Sequence, residues 1–181
     1  MLEYSSEEFS VIKEESVTNP NGSIEIKSVT KHYKEKTALK NVSFDLHRGE
    51  TVCLLGSNGA GKTTLLSILC KLNTVSSGFI HRSGRIGYCR QRDCLLDSLT
   101  VEETIEILLG TRGVENSKEI TKEVIALVDI EKYSKRLTKQ LSGGAKRKLC
   151  VAISVLNNPD FIVLDEPSVS QSSVISLSIE F

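Results

Sequence analysis

The sequence predicts an α/β fold in which short buried strands alternate with helices. Residues 24–26 and 42–46 alternate apolar and polar side chains with the period of two that is typical of half-buried strands. Two apolar runs, Thr51–Leu55 and Phe161–Leu164, are short and end at a glycine or at acidic residues, which suits buried strands. A helical pattern begins at Gly61, between these two strands. We therefore expect a mainly parallel sheet with helical connections.

Residues 1–22 precede this pattern and are acidic. They hold five glutamates against one lysine and end in the turn-forming run NPNG, so we expect a flexible leader or linker. The whole chain has 23 basic and 23 acidic residues, so residues 23–181 carry a net charge of +4. A net charge this close to zero argues against a protein that coats nucleic acid.

The size and composition indicate one soluble globular domain. The 181 residues are 39% hydrophobic and 25% charged. No apolar run approaches the ~20 residues that a membrane span requires, and the acidic N-terminus does not resemble a signal peptide. Of the five cysteines only Cys89 and Cys94 are close together, and the histidine nearest to them is His81. We expect reduced thiols and no zinc site.

Two regions carry helical spacing. After Gly61 the leucines on one side of the predicted helix are Leu65, Leu66, Leu69 and Leu72. The middle of the chain, about residues 95–140, is expected to be a helical insert, with apolar positions at Val101, Ile105, Leu108, Leu109, Ile120, Val124, Leu127 and Val128. Thr100 and Glu103 have the spacing of a capping box at the start of this insert.

A phosphate-binding motif, GxxxxGKT, lies between the strand Thr51–Leu55 and the helix. Its glycines let backbone amides wrap an anion, and the helix N-terminus adds partial positive charge. Lys62 is expected to reach the β- and γ-phosphates, and the Thr63 hydroxyl to bind Mg²⁺. A chance match in a glycine-rich turn has a probability of order one in a hundred. The predicted nucleotide-binding residues are Gly56, Ser57, Asn58, Gly59, Ala60, Gly61, Lys62, Thr63 and Thr64.

Two adjacent carboxylates follow the second apolar strand. At the carboxyl end of Phe161–Leu164, Asp165 is expected to face Mg²⁺ beside the phosphate-binding loop. Glu166 is then placed to polarise an attacking water as a general base. Acidic residues commonly end strands, so the pair gains meaning only because a phosphate-binding loop precedes it.

The run LSGGA opens a further predicted helix. Ser142 suits its N-cap, but capping alone does not require Gly143 and Gly144, and a second anion site explains them better. Placed between a phosphate-binding loop and a strand that ends in Asp-Glu, this run resembles the signature motif of ABC ATPases. In that family ATP lies between the phosphate-binding loop of one subunit and the signature motif of the other.

The resemblance implies a P-loop NTPase of the ABC type, with a helical insert and an antiparallel β portion, over residues 23–168. It implies that Tyr33 stacks on adenine, although an ordinary strand tyrosine is the alternative. It implies that Gln91 senses Mg²⁺, takes part in catalysis and couples to a transmembrane partner. YCRQRDCLLDSLTVEE and the bases after the signature motif resemble subfamily A, the lipid-exporter-like branch, although those bases also suit a solvated helix face.

The same resemblance implies ATP and Mg²⁺ as ligands. It also implies a second nucleotide-binding domain arranged head to tail, transmembrane domains as partners, and a place at the cytoplasmic face of a membrane. Two features depart from the family. The histidines, His32, His47 and His81, all precede Glu166, whereas the family places its γ-phosphate sensor after it, and Ser172 stands where the family has an aspartate. We therefore expect a cassette that is incomplete at its C-terminus, with a divergent tail over 169–181, exposed apolar surface and marginal stability.

Three functions fit these features. The first is the ATP-hydrolysing cassette of a transporter, and the resemblance to subfamily A implies a lipid as its substrate. The second is a non-catalytic ATP-binding module that retains the same phosphate-binding loop. The third is a soluble ABC ATPase acting on ribosomes or chromosomes, which the single cassette and the absence of a coiled coil in the sequence disfavour.

Overall fold

The computed structural model describes residues 2–5, 10–14, 19–92, 94–166 and 173–175. The chain divides into two compact units. The first unit is Met1–Tyr88 together with Asn158–Phe181, and the second is Cys89–Asn157.

The first unit contains the strands and one helix. Its elements in chain order are β1 (Leu2–Ser5), β2 (Ser10–Glu14), β3 (Asn19–Tyr33), β4 (Lys36–Arg48), β5 (Thr51–Leu55), α1 (Lys62–Leu69), β6 (Ser77–Arg82), β7 (Ile86–Cys89, whose last residue belongs to the second unit), β8 (Phe161–Leu164) and β9 (Ser173–Ile175). The predicted strands over residues 24–26 and 42–46, and at β5 and β8, are confirmed.

A three-stranded antiparallel sheet has the order β4-β3-β6. Ile26 pairs with Phe44 of β4 on one side and with Ile80 of β6 on the other. Ile24, Ile26, Phe44 and Leu46 are buried, which confirms the face that the alternating pattern predicted. This sheet therefore supplies one wall of the core of the first unit.

The second sheet has six strands in the order β1-β2-β5-β9-β8-β7. The expectation of a mainly parallel sheet is wrong, because β5 and β8 each pair antiparallel with β9, which lies between them. As both run opposite to β9, β5 and β8 still point in the same direction. β5 is also less buried than expected, since Val52 and Leu54 are buried whereas Leu55 is exposed.

The N-terminal segment, which was expected to be a flexible leader, contains β1 and β2 and the start of β3, and β2 pairs antiparallel with β5. The backbone groups of a central strand such as β5 need partners on both sides, and β2 and β9 supply them. Val52 and Leu54 are buried, whereas Phe79 and Leu96 are among the large apolar residues that are exposed. Ser172 lies outside the described residues.

Helix α1 packs between the two sheets. Leu65, Leu66 and Leu69 are buried in the shared core, as predicted, whereas Leu72 lies beyond the end of the helix and is exposed. The C-terminal end of α1 is bonded to a side chain of β6: Arg82 Nη1 donates to the carbonyl oxygen of Ile68 at 3.1 Å and to that of Leu69. A cation at this end of a helix also interacts favourably with the helix dipole.

The second unit is helical in its described residues. It contains α2 (Val101–Gly110), α3 (Ser117–Leu127) and α4 (Gly143–Val155), with short 3₁₀ turns at Glu131–Tyr133 and Thr138–Gln140. The predicted capping box is confirmed, because Thr100 N donates to Glu103 Oε2 at 2.7 Å and Glu103 N donates to Thr100 Oγ1 at 3.2 Å. Among the described residues, no helix is long and apolar enough to cross a membrane.

The five cysteines are free thiols in this structure. Cys89 is buried and Cys94 is exposed. Cys53 and Cys150 are half-buried, whereas the apolar runs around them suggested core positions. Burial raises the pKa of the Cys53 thiol, so this group stays protonated near neutral pH.

Replacing Arg82 tests how far β6 stabilises α1. Arg82→Met keeps the aliphatic stem but leaves two helix carbonyl groups without their charged donor. We expect the free energy of unfolding in urea to fall by ~1–3 kcal/mol. Arg85→Met is the matched control, because the Arg85 side chain is 67% exposed and its Nε lies 3.9 Å from Asp160, so we expect a loss of at most ~0.5 kcal/mol. Equal small losses in the two variants would contradict the assigned role of Arg82.

The capping box makes the stability of the second unit depend on acid pH. Bonds from the Thr100 amide, and then from its hydroxyl, hold the pKa of Glu103 below its ordinary value near 4.5. A lowered native pKa stabilises the fold above the ordinary value, and this contribution is lost as the pH falls through the native value. We expect Glu103→Gln to lessen the fall in melting temperature below about pH 4.5, measured by circular dichroism. The neighbouring change Glu102→Gln should leave the acid dependence as it is in the unmodified chain.

Candidate nucleotide-binding site

The loop Gly56–Gly61 joins β5 to α1 and has a backbone that requires glycine at two positions. Gly59 and Gly61 have φ values of 86° and 96°, in the left-handed region. A Cβ atom at Gly61 would lie 2.2 Å from the carbonyl oxygen of Ala38 on β4, which leaves no room for any side chain. Ser57, Asn58 and Gly59 are exposed. The loop therefore approaches β4 closely on one side and is accessible to a ligand on the other.

The Lys62 side chain lies folded into this loop. Its Nζ donates to the carbonyl oxygen of Gly56 at 2.6 Å and to that of Ser57 at 3.0 Å, and the residue is only 6% exposed. Neither of these two partners is a carboxylate, so neither neutralises the ammonium charge. A largely buried cation with neutral partners favours an anion next to it. The loop thus has the charge that phosphate groups require.

The N-terminus of α1 adds to this positive potential. The first bond within the helix runs from Leu65 N to the Gly61 carbonyl oxygen at 2.9 Å. No side chain caps this helix end, because its N-cap is Gly61. The amides of the preceding turn, at Lys62, Thr63 and Thr64, therefore lie ahead of the helix hydrogen-bonding pattern and are oriented as an anion site requires.

A hydroxyl and a carboxylate meet directly beside the lysine. Thr63 Oγ1 donates to Asp165 Oδ1 at 3.2 Å, although 102 residues separate them in sequence. Asp165 follows β8 and is 1% exposed, and the Tyr88 hydroxyl lies 3.5 Å from its other oxygen, Oδ2. Hydroxyl and carboxylate oxygens are hard ligands that suit Mg²⁺. The structure thus brings together two of the three predicted metal ligands.

Glu166 is next to this pair and has an unusual backbone. Its φ of 51° lies in the left-handed region, which few residues other than glycine adopt. The residue is half-buried, so its carboxylate is not sealed in the core with Asp165. Positive φ at a functional position typically costs of order 1–3 kcal/mol and is retained where the surrounding structure requires it.

Tyr33 lies at the end of β3 in the same unit. Its ring is 44% exposed, and its hydroxyl accepts a bond from Asn73 Nδ2. Lys31 Nζ lies 5.1 Å from the ring centroid. The ring is therefore held at its hydroxyl end and on one face, and it remains partly accessible.

The other predicted site residues belong to the second unit. Ser142 caps α4, as predicted, by accepting a bond from Ala145 N at 3.2 Å. Ser142, Gly143 and Gly144 are exposed, and a Cβ atom at either glycine would meet no atom within 4 Å. Gln91 is exposed in the segment after β7. Lys62, Thr63 and Asp165, in contrast, belong to the first unit.

Sequence reasoning missed four residues that hold these segments in place: Lys31, Asn73, Arg82 and Arg147. The Arg147 guanidinium, on α4, donates to the carbonyl oxygen of Arg90, next to Gln91. Apart from the contact between Lys31 and the Tyr33 ring, these contacts join residues that are far apart in the sequence, and no motif marks them. Lys31 and Tyr33 are two residues apart, and this spacing was the one signal that the sequence offered.

Comparison with known proteins places these features in a family. The sequence model of the ABC transporter family matches residues 39–169, more than half of the chain. Cholesterol transporter ABCA5 of Mus musculus is 40% identical over an alignment of 165 positions, which covers 80% of this chain and 10% of that protein. The zinc import ATP-binding protein ZnuC of Rickettsia prowazekii is 36% identical over 148 residues, 80% of this chain and 62% of that protein. This chain thus spans about a tenth of the length of the ABCA relatives that it matches.

A solved structure supports the fold. The dimeric, post-hydrolysis state of the ATP-binding cassette MJ0796, bound to ADP and Pi, matches with a TM-score of 0.69 and 26% identity. The match covers 81% of this chain and 75% of that one. The expected P-loop fold of the ABC type, with its helical insert and antiparallel β portion, is confirmed, and so is the resemblance to subfamily A. This chain therefore belongs to the ABC transporter family, as an ATP-binding cassette.

Proposed function

We propose that this chain binds MgATP and hydrolyses it to drive transport across a membrane. The observation that carries the proposal is the meeting of three groups in the first unit: the buried Lys62 ammonium in the loop, the Thr63 hydroxyl and the Asp165 carboxylate. A nucleoside triphosphate needs a cation that binds its phosphates and oxygen ligands that bind its Mg²⁺ ion, and these three groups can supply both. The residues therefore fit the ligands that the family implies.

Each residue has a separate role in this proposal. Lys62 exchanges its bonds to the Gly56 and Ser57 carbonyl groups for bonds to the β- and γ-phosphates, while the amides from Gly59 to Thr64 surround them. Thr63 and Asp165 would hold Mg²⁺, which would neutralise phosphate charge, and the family resemblance is the basis for proposing Gln91 as a further ligand. Glu166, half-buried next to Asp165, accepts a proton from the attacking water.

A second cassette is the proposed partner, in a head-to-tail dimer. The exposed N-terminus of α4 supports this proposal, because Ser142 uses one lone pair for Ala145 N and keeps its hydroxyl proton for a further acceptor. With the amides of Gly143 and Gly144, it would bind the γ-phosphate of ATP held by the partner's loop. The dimeric state described for MJ0796 supports this arrangement.

The wider setting is also proposed from the relatives. ABCA5 is described as a cholesterol transporter, so we propose that the transported substrate is a lipid. Transmembrane domains of a transporter are then the partners that ATP hydrolysis drives. The cassette would act at the cytoplasmic face of the membrane that contains them.

Removing the loop lysine should abolish nucleotide binding. Lys62→Ala deletes the one side-chain cation that the structure places inside the loop, and we expect MgATP affinity to fall at least ~30-fold by isothermal titration calorimetry. Lys122→Ala, which removes an exposed lysine of α3, is the control and should bind MgATP normally. Near-normal affinity of Lys62→Ala, with an intact circular dichroism spectrum, would show that the loop is not the nucleotide site.

Removing the proposed base should separate binding from hydrolysis. Glu166→Gln keeps the size of the side chain but not its basicity, so we expect unchanged MgATP affinity and phosphate release slowed by at least ~100-fold. Glu123→Gln on the exposed face of α3 should hydrolyse ATP at the unmodified rate. If the unmodified chain binds MgATP but releases no phosphate, the non-catalytic ATP-binding module is the correct function.

A further inference from the structure

The Tyr33 ring is exposed but fixed at its hydroxyl end. Asn73 Nδ2 donates to the Tyr33 hydroxyl oxygen across 40 positions of sequence. The Asn73 side chain is itself oriented, because its Oδ1 accepts a bond from Thr74 N at 2.9 Å. The bond fixes the position of the hydroxyl end, so moving the ring away by rotation about the Cα–Cβ bond would break it. Tyr33, which is 44% exposed, is therefore held in place at this end before any ligand binds.

A buried ammonium lies on one face of the same ring. Lys31 is 8% exposed, and its Nζ lies 5.1 Å from the centroid of the Tyr33 ring, within the ~6 Å range of a cation–π interaction. Its Nζ also donates to the Thr74 carbonyl oxygen at 2.6 Å. Most lysines extend into water, whereas this one is held against an aromatic face by a neutral backbone acceptor.

Backbone and side-chain bonds join these residues to the phosphate-binding helix. Asn73 and Thr74 lie in the turn that follows α1, and α1 begins at the phosphate-binding loop. The turn is attached to β3, because Ser76 N donates to the Thr30 carbonyl oxygen at 2.9 Å and His32 N donates to Ser76 Oγ at 3.0 Å. The helix α1, which begins at the phosphate-binding loop, is thus connected through the turn that follows it to the Tyr33 ring.

We propose that Lys31 and Asn73 are positioning residues that hold Tyr33 as a stacking surface for the purine base of the bound nucleotide; the inference rests on the proposed nucleotide-binding function. Because Lys31 covers one face of the ring, a flat ligand stacks on the other. The ammonium withdraws electron density from the ring and so favours stacking with an electron-rich base. Neither residue touches the nucleotide, and both act through Tyr33.

The test compares two ligands that differ by the nucleoside. MgATP uses the ring and the loop, whereas magnesium tripolyphosphate uses the loop alone. By calorimetry with the full chain, we expect Lys31→Met and Asn73→Ala to weaken MgATP binding by ~3- to 10-fold and to leave tripolyphosphate binding unchanged. Lys31→Arg keeps a cation on the ring and should retain MgATP affinity within about 2-fold.

A spectroscopic measurement reports on the ring itself. The sequence contains no tryptophan, so Tyr33→Trp introduces a single indole at this position. We expect MgATP, but not tripolyphosphate, to quench its fluorescence, and Lys31→Met in the same background to raise the MgATP concentration at half-quenching. A general loss of stability would also weaken tripolyphosphate binding, so the calorimetric comparison of the two ligands separates that case from a change at the ring.

The outcomes separate this inference from the function on which it rests. If Lys62→Ala removes binding of both ligands while Lys31→Met and Asn73→Ala bind MgATP as the unmodified chain does, the positioning role is wrong and nucleotide binding stands. If the two variants lose tripolyphosphate as much as MgATP, they act on the fold and the role is equally wrong. If Lys62→Ala binds both ligands normally, the proposed function itself fails.

Discussion

The close approach of Gly61 to the carbonyl oxygen of Ala38 is the constraint on which the rest of the site depends. A Cβ atom at Gly61 would lie 2.2 Å from that oxygen, and its φ of 96° is one that other residues avoid. This contact fixes the start of α1 against β4. Arg82, on β6 of the same three-stranded sheet, fixes the other end by donating to the last carbonyl groups of the helix. A helix held at both ends by one sheet can present Lys62 and Thr63 at a defined place, which electrostatic binding requires.

The second half of the site depends on a strand that is distant in sequence. β8 is buried along its whole length. Asp165 directly follows the strand, and its carboxylate accepts a hydrogen bond from the Thr63 hydroxyl. At that point the backbone turns through Glu166 with positive φ, so the two adjacent carboxylates have different environments, one sealed in the core and one half-buried. Different environments allow two neighbouring carboxylates to have different roles, here the proposed metal binding by Asp165 and proton transfer by Glu166. The core contacts of β8 hold the turn in place, and they therefore maintain the strained backbone at Glu166.

The sequence could predict what is local and could not predict what joins distant segments. The loop, the capping box of Thr100 and Glu103, and the strand before Asp165 follow from spacing over a few residues. Periodicity shows which face of a strand is buried but not which strand lies beside it, so the position of β9 between β5 and β8 was missed. For the same reason the acidic leader was expected to be flexible, although β2 pairs with β5. Lys31 and Asn73 were missed because their contacts depend on how the turn after α1 returns to β3.

Two kinds of glycine in this chain separate what the fold requires from what a ligand requires. At Gly61 the chain's own backbone excludes a side chain, and φ is positive. At Gly143 and Gly144 a Cβ atom would meet nothing within 4 Å, and neither residue has positive φ. Glycine also lowers helix propensity, so the start of α4 is less stable than alanine would make it. The described fold does not itself require glycine at these two positions, and the exposed helix end leaves room for the partner's nucleotide that we propose.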